Sequence, residues 1–90
     1  MKKVIISVLG KDAVGIIAKV CNYLANENIS IMDISQTIVQ GYFNMMMIVD
    51  MSGAKTSLID LQKGMDIIGE QIGVQIKCQR EEIFNKMHRI

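Results

Sequence analysis

The stretch Val4–Ile17, V-I-I-S-V-L-G-K-D-A-V-G-I-I, decides how the rest of the chain is read. Val4, Ile5, Ile6, Val8 and Leu9 form a β-branched and aliphatic run of strand length. Gly10 punctuates it. Asp12 has the residue type of a helix N-cap, since its carboxylate can accept from the first-turn N–H groups of Val14 or Gly15. Gly15 and Ile16 then open a helix. The missing Cβ of Gly15 lets another backbone or a small ligand approach the first turn. The stretch thus reads as strand, tight turn, helix start.

Working outward, both faces of the strand over about Lys3–Leu9 are largely apolar, which suits an inner strand covered on two sides. A helix follows over about Ala13–Asn26, with Ile17, Val20, Cys21 and Leu24 on its buried stripe. Asn26 or Asn28 can end it in the left-handed conformation. Ser30–Gln40 alternates Met32, Ile34 and Ile38 with Asp33, Ser35 and Thr37, a strand with one buried and one wetter face. Gln40-Gly41-Tyr42 is a turn, and Phe43–Met51 completes a hairpin. Ser57 and Asp60 have capping-box spacing. Leu58, Leu61, Met65, Ile68 and Ile72 then step at helical period up to Gly73. Gly64 and Gly69 weaken this helix and invite close packing. Val74–Gln79 alternates as a last strand. In the tail, 81–90, Ile83, Met87 and Ile90 share a stripe with Phe84 beside it, a short helix that needs a surface to dock on.

The order is strand, helix, strand, strand, helix, strand. With right-handed crossovers it predicts an α+β fold, a four-stranded antiparallel sheet with two helices on one face. Residues 1–80 form this one domain and 81–90 a C-terminal helical extension. The uncovered sheet face or a sheet edge is expected to be buried in a dimer.

Composition supports that expectation. The chain has 90 residues, half of them hydrophobic, with eight Met, two Phe, two Tyr and no Trp. A domain this small buries only roughly 60% of its unfolded surface. A subunit partner would cover the surplus apolar area. The net charge of +1 gives no electrostatic case for nucleic acid or membrane as partner. No apolar run reaches membrane-spanning length. Lys2 and Lys3 lead into an alternating run broken by Ser7 and Gly10, which is no secretory leader, so a cytoplasmic chain is expected. Cys21 and Cys78 stand in no ligand spacing and read as buried free thiols.

Catalytic chemistry finds little support, and the chain reads as a non-enzyme. His88 is the lone histidine, near the end of the sequence. No serine has a nucleophile-elbow or S-x-x-K setting. Glu81 and Glu82 are adjacent and diverge on a helix. The loop after the first strand holds no soft metal ligand, and no cofactor is expected. RNA-recognition modules share this topology but need aromatic residues on the central strands. Here Gly41-Tyr42-Phe43 is followed by Asn44, Met45, Met46 and Met47, and the first strand has none. A small-molecule site remains. Backbone donors at Ala13, Val14, Gly15 and Ile16, at the positive end of a helix, could hold a carboxylate. Asp12 or Asp33 could take an ammonium. An amino acid carries both groups.

Two motifs carry a family resemblance, G-K-D-A-V-G-I-I (Gly10–Ile17) and N-E-N-I-S-I-M-D-I-S-Q-T (Asn26–Thr37). The chain resembles small stand-alone bacterial ACT-domain proteins related to the regulatory domains of the glycine cleavage system repressor. Val14 stands where many members carry proline. The resemblance implies a ferredoxin-like βαββαβ fold, a homodimer, and regulatory binding of an amino acid or similar metabolite. It also implies a site between the loop Gly10–Ile16 of one subunit and Ile31, Met32 and Asp33 of the other. The alternative is a protein–protein interaction module without ligand, in which Asp12 and Gly15 only shape a turn.

Overall fold

The structure is a computed structural model and describes residues 2–11 and 13–82. Its elements are β1 (Lys3–Gly10), α1 (Ala13–Asn26), β2 (Ser30–Val39), β3 (Tyr42–Asp50), α2 (Leu58–Ile72) and β4 (Gln75–Arg80). All strand pairs are antiparallel, in the order β2-β3-β1-β4. This is the ferredoxin-like βαββαβ fold expected from the sequence. The tail enters a helical conformation at Glu81 and Glu82; the rest of the expected terminal helix, 83–90, lies outside the described residues.

One core lies between the helices and the sheet. Val4, Ile6 and Val8 of β1 and Phe43, Met45, Met47 and Val49 of β3 meet Ile16, Val20 and Leu24 of α1 and Leu61, Met65 and Ile68 of α2. Each such side chain, fully buried, contributes roughly 1.5–3 kcal/mol. β1 is the inner strand that its two apolar faces suggested. On the helix-free face Ile5 is also buried, at 4% exposure, between Ile48 and Gln79 on the flanking strands. Of the three consecutive methionines, only Met46 points to that open face and is exposed.

The connections follow local chemistry. Asn28 takes the left-handed conformation after α1 (φ 58°), and its Nδ2 donates to the Gly53 carbonyl at 2.8 Å. Gln40 and Gly41 both have positive φ, the geometry of a two-residue hairpin turn that follows strand twist. Ser57 caps α2, accepting from the Asp60 N–H at 3.2 Å, and Gly73 closes the helix at φ 71°. Gly64 does allow close packing, because a Cβ there would overlap the Tyr23 hydroxyl of α1.

Of the two outer strands, β4 follows the alternation read in the sequence, with Ile76 in the core and Val74 and Cys78 packed against it, and β2 departs from it. One buried face was expected, yet all ten of its residues are exposed. The core residues come from β1, β3, β4, both helices and the flanking Ile29 and Met51, and β2 supplies none. It is an edge strand that the helices do not cover. β4, at the other edge, is covered by α2. The Gln62 carboxamide donates to the Ile76 carbonyl at 3.0 Å and accepts from the Cys78 N–H at 2.7 Å.

Candidate functional site

The loop after β1 is built from the sheet outward. Gly10 ends β1, paired with Phe43, and is buried. A Cβ there would run into the Val74 side chain, so this glycine first serves packing of the β4 approach. Ile16 is also a core residue, with no exposed surface. Its side chain is unavailable to a ligand, which leaves it only the backbone role. The stripe read for α1 began at Ile17, which is only partly buried; the helix is turned so that Ile16, Val20 and Leu24 face the sheet. Val14 is 81% exposed on the first turn and Gly15 is half-buried. Asp12 and the Ala13 side chain lie outside what the structure describes.

The other half of the expected site is the start of β2. Ile31 and Met32 are exposed at 42% and 46%. Ile31 pairs with Val49 and Asp33 with Ile48, so Met32 is an extra residue in a β-bulge. The Asp33 carboxylate is exposed and accepts from the Ile34 N–H at 2.8 Å.

The register separates these halves within one chain. Gly10 aligns with Phe43 and Ile38, whereas Ile31 aligns with Val49 and Val4. Six residue steps along β1 and β3 separate the two rows, about 20 Å. The loop Gly10–Ile16 and Ile31–Asp33 therefore occupy opposite ends of the sheet. At the loop end of the sheet, Val39 and Tyr42 are exposed apolar residues outside the expected site, and Ile38, expected on a buried face, is 73% exposed. The Lys11 ammonium stands 5.5 Å from the Tyr42 ring centroid, over its face. Alternation hid these residues, because it reports a strand's two faces and says nothing of its edges.

Other chemistry is sparse. Cys21 and Cys78 are free thiols, each half-buried rather than fully so. Burial, helped by the Asp66 carboxylate, pushes the Cys78 thiol up to about 12, which makes it a poor nucleophile. The Tyr23 hydroxyl is also raised, first by partial burial and then by Glu27 and Asp60. Among the described residues no group of three His, Cys, Asp or Glu side chains is placed to hold a metal ion. No described helix is long and apolar enough to cross a membrane.

A family model described as an ACT domain matches residues 2–79. The chain belongs to the ACT domain family. Among its relatives, a UPF0237 protein of Bifidobacterium longum is 57% identical over 90 residues, covering all of both chains. The ACT domain protein from Streptococcus pneumoniae superposes with a TM-score of 0.81 at 38% identity, over 92% of this chain and 93% of that one. The regulatory subunit of aspartate kinase from Thermus thermophilus shares the fold at 22% identity and a TM-score of 0.64, over 87% of this chain and 50% of its own. ACT domains are, as a family, regulatory ligand-binding domains.

Proposed function

We propose that this ACT domain works as a homodimer joined along β2 and senses a small metabolite, an amino acid, at the joint. The observation that carries this reading is the open, apolar β2 edge. Ile31, Met32, Ile34, Ile38 and Val39 are all at least 38% exposed along one edge strand, paired on one side only. Such an edge is a template for pairing with another chain. The register supports the same partner. A two-fold axis through the middle of β2 sets one protomer's Ile31–Asp33 beside the far end of the other's β2. That far end aligns with Gly10 and its loop. Two half-sites about 20 Å apart in one chain thus meet between two.

In this arrangement the backbone N–H groups of Ala13–Ile16 take the ligand carboxylate at the positive end of α1. Asp33 of the other protomer, or Asp12, takes the ammonium. The apolar Val14 and Met32 select the side chain. A ligand touching both protomers favours one relative arrangement, by no more than its differential affinity for the two. Output passes to a protein partner. Catalysis has no place in this reading.

The test is the thermal unfolding midpoint against a panel of amino acids and related metabolites. A ligand at a hundred times its dissociation constant stabilises by roughly 2.7 kcal/mol, a shift of several degrees in a domain this size. One or two related compounds should shift the midpoint, and Gly15→Val should abolish the shift while the dimer persists. Retained affinity in Gly15→Val contradicts the site. A flat panel favours an interaction module that uses the same edge without a ligand.

A further inference from the structure

A cavity of about 740 Å³ opens beside the start of α2, where β1 begins and β3 and β4 end, away from the Gly10 loop. Its volume is in the range of small-molecule sites. The floor is apolar: Val4 and Met51 are core residues, and Leu58 of α2 is half-buried beside them. The rim is charged, with Lys2, Lys3 and Arg80 against Glu81 and Glu82.

The charges do not cancel. Lys3 pairs with Glu81 at 4.0 Å, which leaves Lys2 and Arg80 facing Glu82 alone. Among the described residues neither of these two cations has a carboxylate partner. Asp50, at the end of β3, is committed elsewhere: its carboxylate accepts from the Ser52 hydroxyl at 2.7 Å and from the Ser52 N–H at 2.9 Å. The backbone seats both cations. The Lys2 N–H donates to the Ser52 hydroxyl at 3.2 Å, and the Lys2 carbonyl accepts from the Met51 N–H at 2.8 Å. Arg80 is paired with Val4, a residue of the cavity floor. The Ser57 hydroxyl, also in the lining, accepts from the Asp60 N–H and keeps its own hydrogen to donate. Two unpaired cations and a hydroxyl above an apolar floor suit a molecule that is anionic at one end and apolar at the other. Carboxylate and phosphate groups both meet such cations through charge-assisted hydrogen bonds.

We propose that this cavity binds a small organic anion, its carboxylate or phosphate held by Lys2 and Arg80 and its apolar body lying on Val4, Met51 and Leu58. The site is distinct from the one assigned to the Gly10 loop and β2, and it stands independently of that reading.

Amide chemical shifts of the full chain, followed at constant ionic strength because salt screens such contacts, test it. Phenyl phosphate and benzoate carry the same ring under different anionic heads; benzyl alcohol carries it without charge. The Lys3, Ser52 and Leu58 amides should move saturably with at least one of the two anions, and the tighter of them identifies the head group. Benzyl alcohol should not saturate them. Lys2→Gln combined with Arg80→Gln, both exposed positions, should weaken binding at least about tenfold. Glu82→Gln removes the opposing charge and should strengthen binding roughly twofold. Gly15→Val should leave it unchanged, which separates this site from the one at the loop. The absence of a saturable shift with either anion would overturn the proposal, as would an equal response to benzyl alcohol, unchanged affinity in the folded double variant, or weaker binding in Glu82→Gln.

Discussion

At one margin of the sheet, β4 is closed by a single side chain; at the other, β2 is left open along its whole length. Gln62 of α2 presents to β4 one acceptor and one donor, as a neighbouring peptide group would. A second strand cannot pair there without displacing it. Gln62 is itself held by Asp66, whose carboxylate accepts from the same amide at 2.8 Å. β2 has no such guard, apart from the bulge at Met32 and the Asp33 carboxylate on the Ile34 N–H. Both lie at the start of the strand, and Ser35–Val39 carries no side-chain contact of this kind among those described. Edge strands in native proteins are usually blunted. A fold that blunts one edge and leaves the other both bare and apolar has, in our account, reserved the second for its own copy.

Breaking the open edge should have the largest effect. Ile38 is 73% exposed, so Ile38→Asp costs the single chain little and places a charge in the joint. The expected result is a fall in sedimentation mass, from twice the 10.1 kDa chain mass to the chain mass itself. A folded, dimeric Ile38→Asp would move the interface to the helix-free sheet face.

Opening the closed edge comes next. Gln62→Ala strips partners from the Ile76 carbonyl and the Cys78 N–H. Leaving such part-buried groups unsatisfied costs about 1–3 kcal/mol, at roughly 4–8 °C per kcal/mol for a domain of this size. Alkylation of Cys78 gives a second readout. It should be slow in the native protein, where burial holds the thiol at about 12, and faster in the variant. Unchanged stability and labelling would show that the amide clasp does nothing for β4.

Element order, hairpin, caps and most of the core could be read from the sequence, because each depends on near neighbours. Ser57 caps where capping-box spacing put it, and Asn28 turns left-handed where asparagine could. The fate of β2 could not be read. Its alternation of Met32, Ile34 and Ile38 with polar residues describes a strand between a core and water. Position at an edge beyond both helices is decided by the crossovers, not by the strand. The bulge at Met32 also shifts the faces, so that Ile31 and Ile34 align with the buried Val49 and Met47. In the loop, glycine types were legible but their duties were partly different. Gly10 makes room for Val74, and Ile16 belongs to the core. The cavity at the start of α2 is lined by residues from Lys2 to Glu82, a set no local pattern could gather.

A smaller effect sharpens how α2 is seated on β4. A Cβ at Gly69 would lie 2.6 Å from the Val74 carbonyl oxygen, a backbone atom at the α2–β4 joint. Overpacking costs about 1–3 kcal/mol, against about 1 kcal/mol gained from helix propensity. Gly69→Ala should therefore lower the midpoint by a few degrees. It should also raise the Cys78 labelling rate, because the clasp rides on the same helix.

The smallest effect comes from Asp50, on neither edge. Its carboxylate accepts from the Ser52 hydroxyl at 2.7 Å and from the Ser52 N–H at 2.9 Å. Those bonds, the hydroxyl's first, hold its carboxyl below the ordinary value. The stabilisation is complete above the unfolded carboxylate pKa of about 3.9 and is lost as pH falls through the lower folded value. Asp50→Asn should flatten the acid limb of the stability profile slightly and leave the neutral region, the dimer and both edges unchanged.

The central claim is that β2 pairs with β2 of a second copy, and amide hydrogen exchange of the native protein tests it most directly. Those amides of Ile34–Val39 that are not bonded to β3 should be protected at concentrations where the dimer forms. Their protection should vanish on dilution and in Ile38→Asp. Exchange of these amides at unprotected rates in a sample that sediments as a dimer would contradict the account.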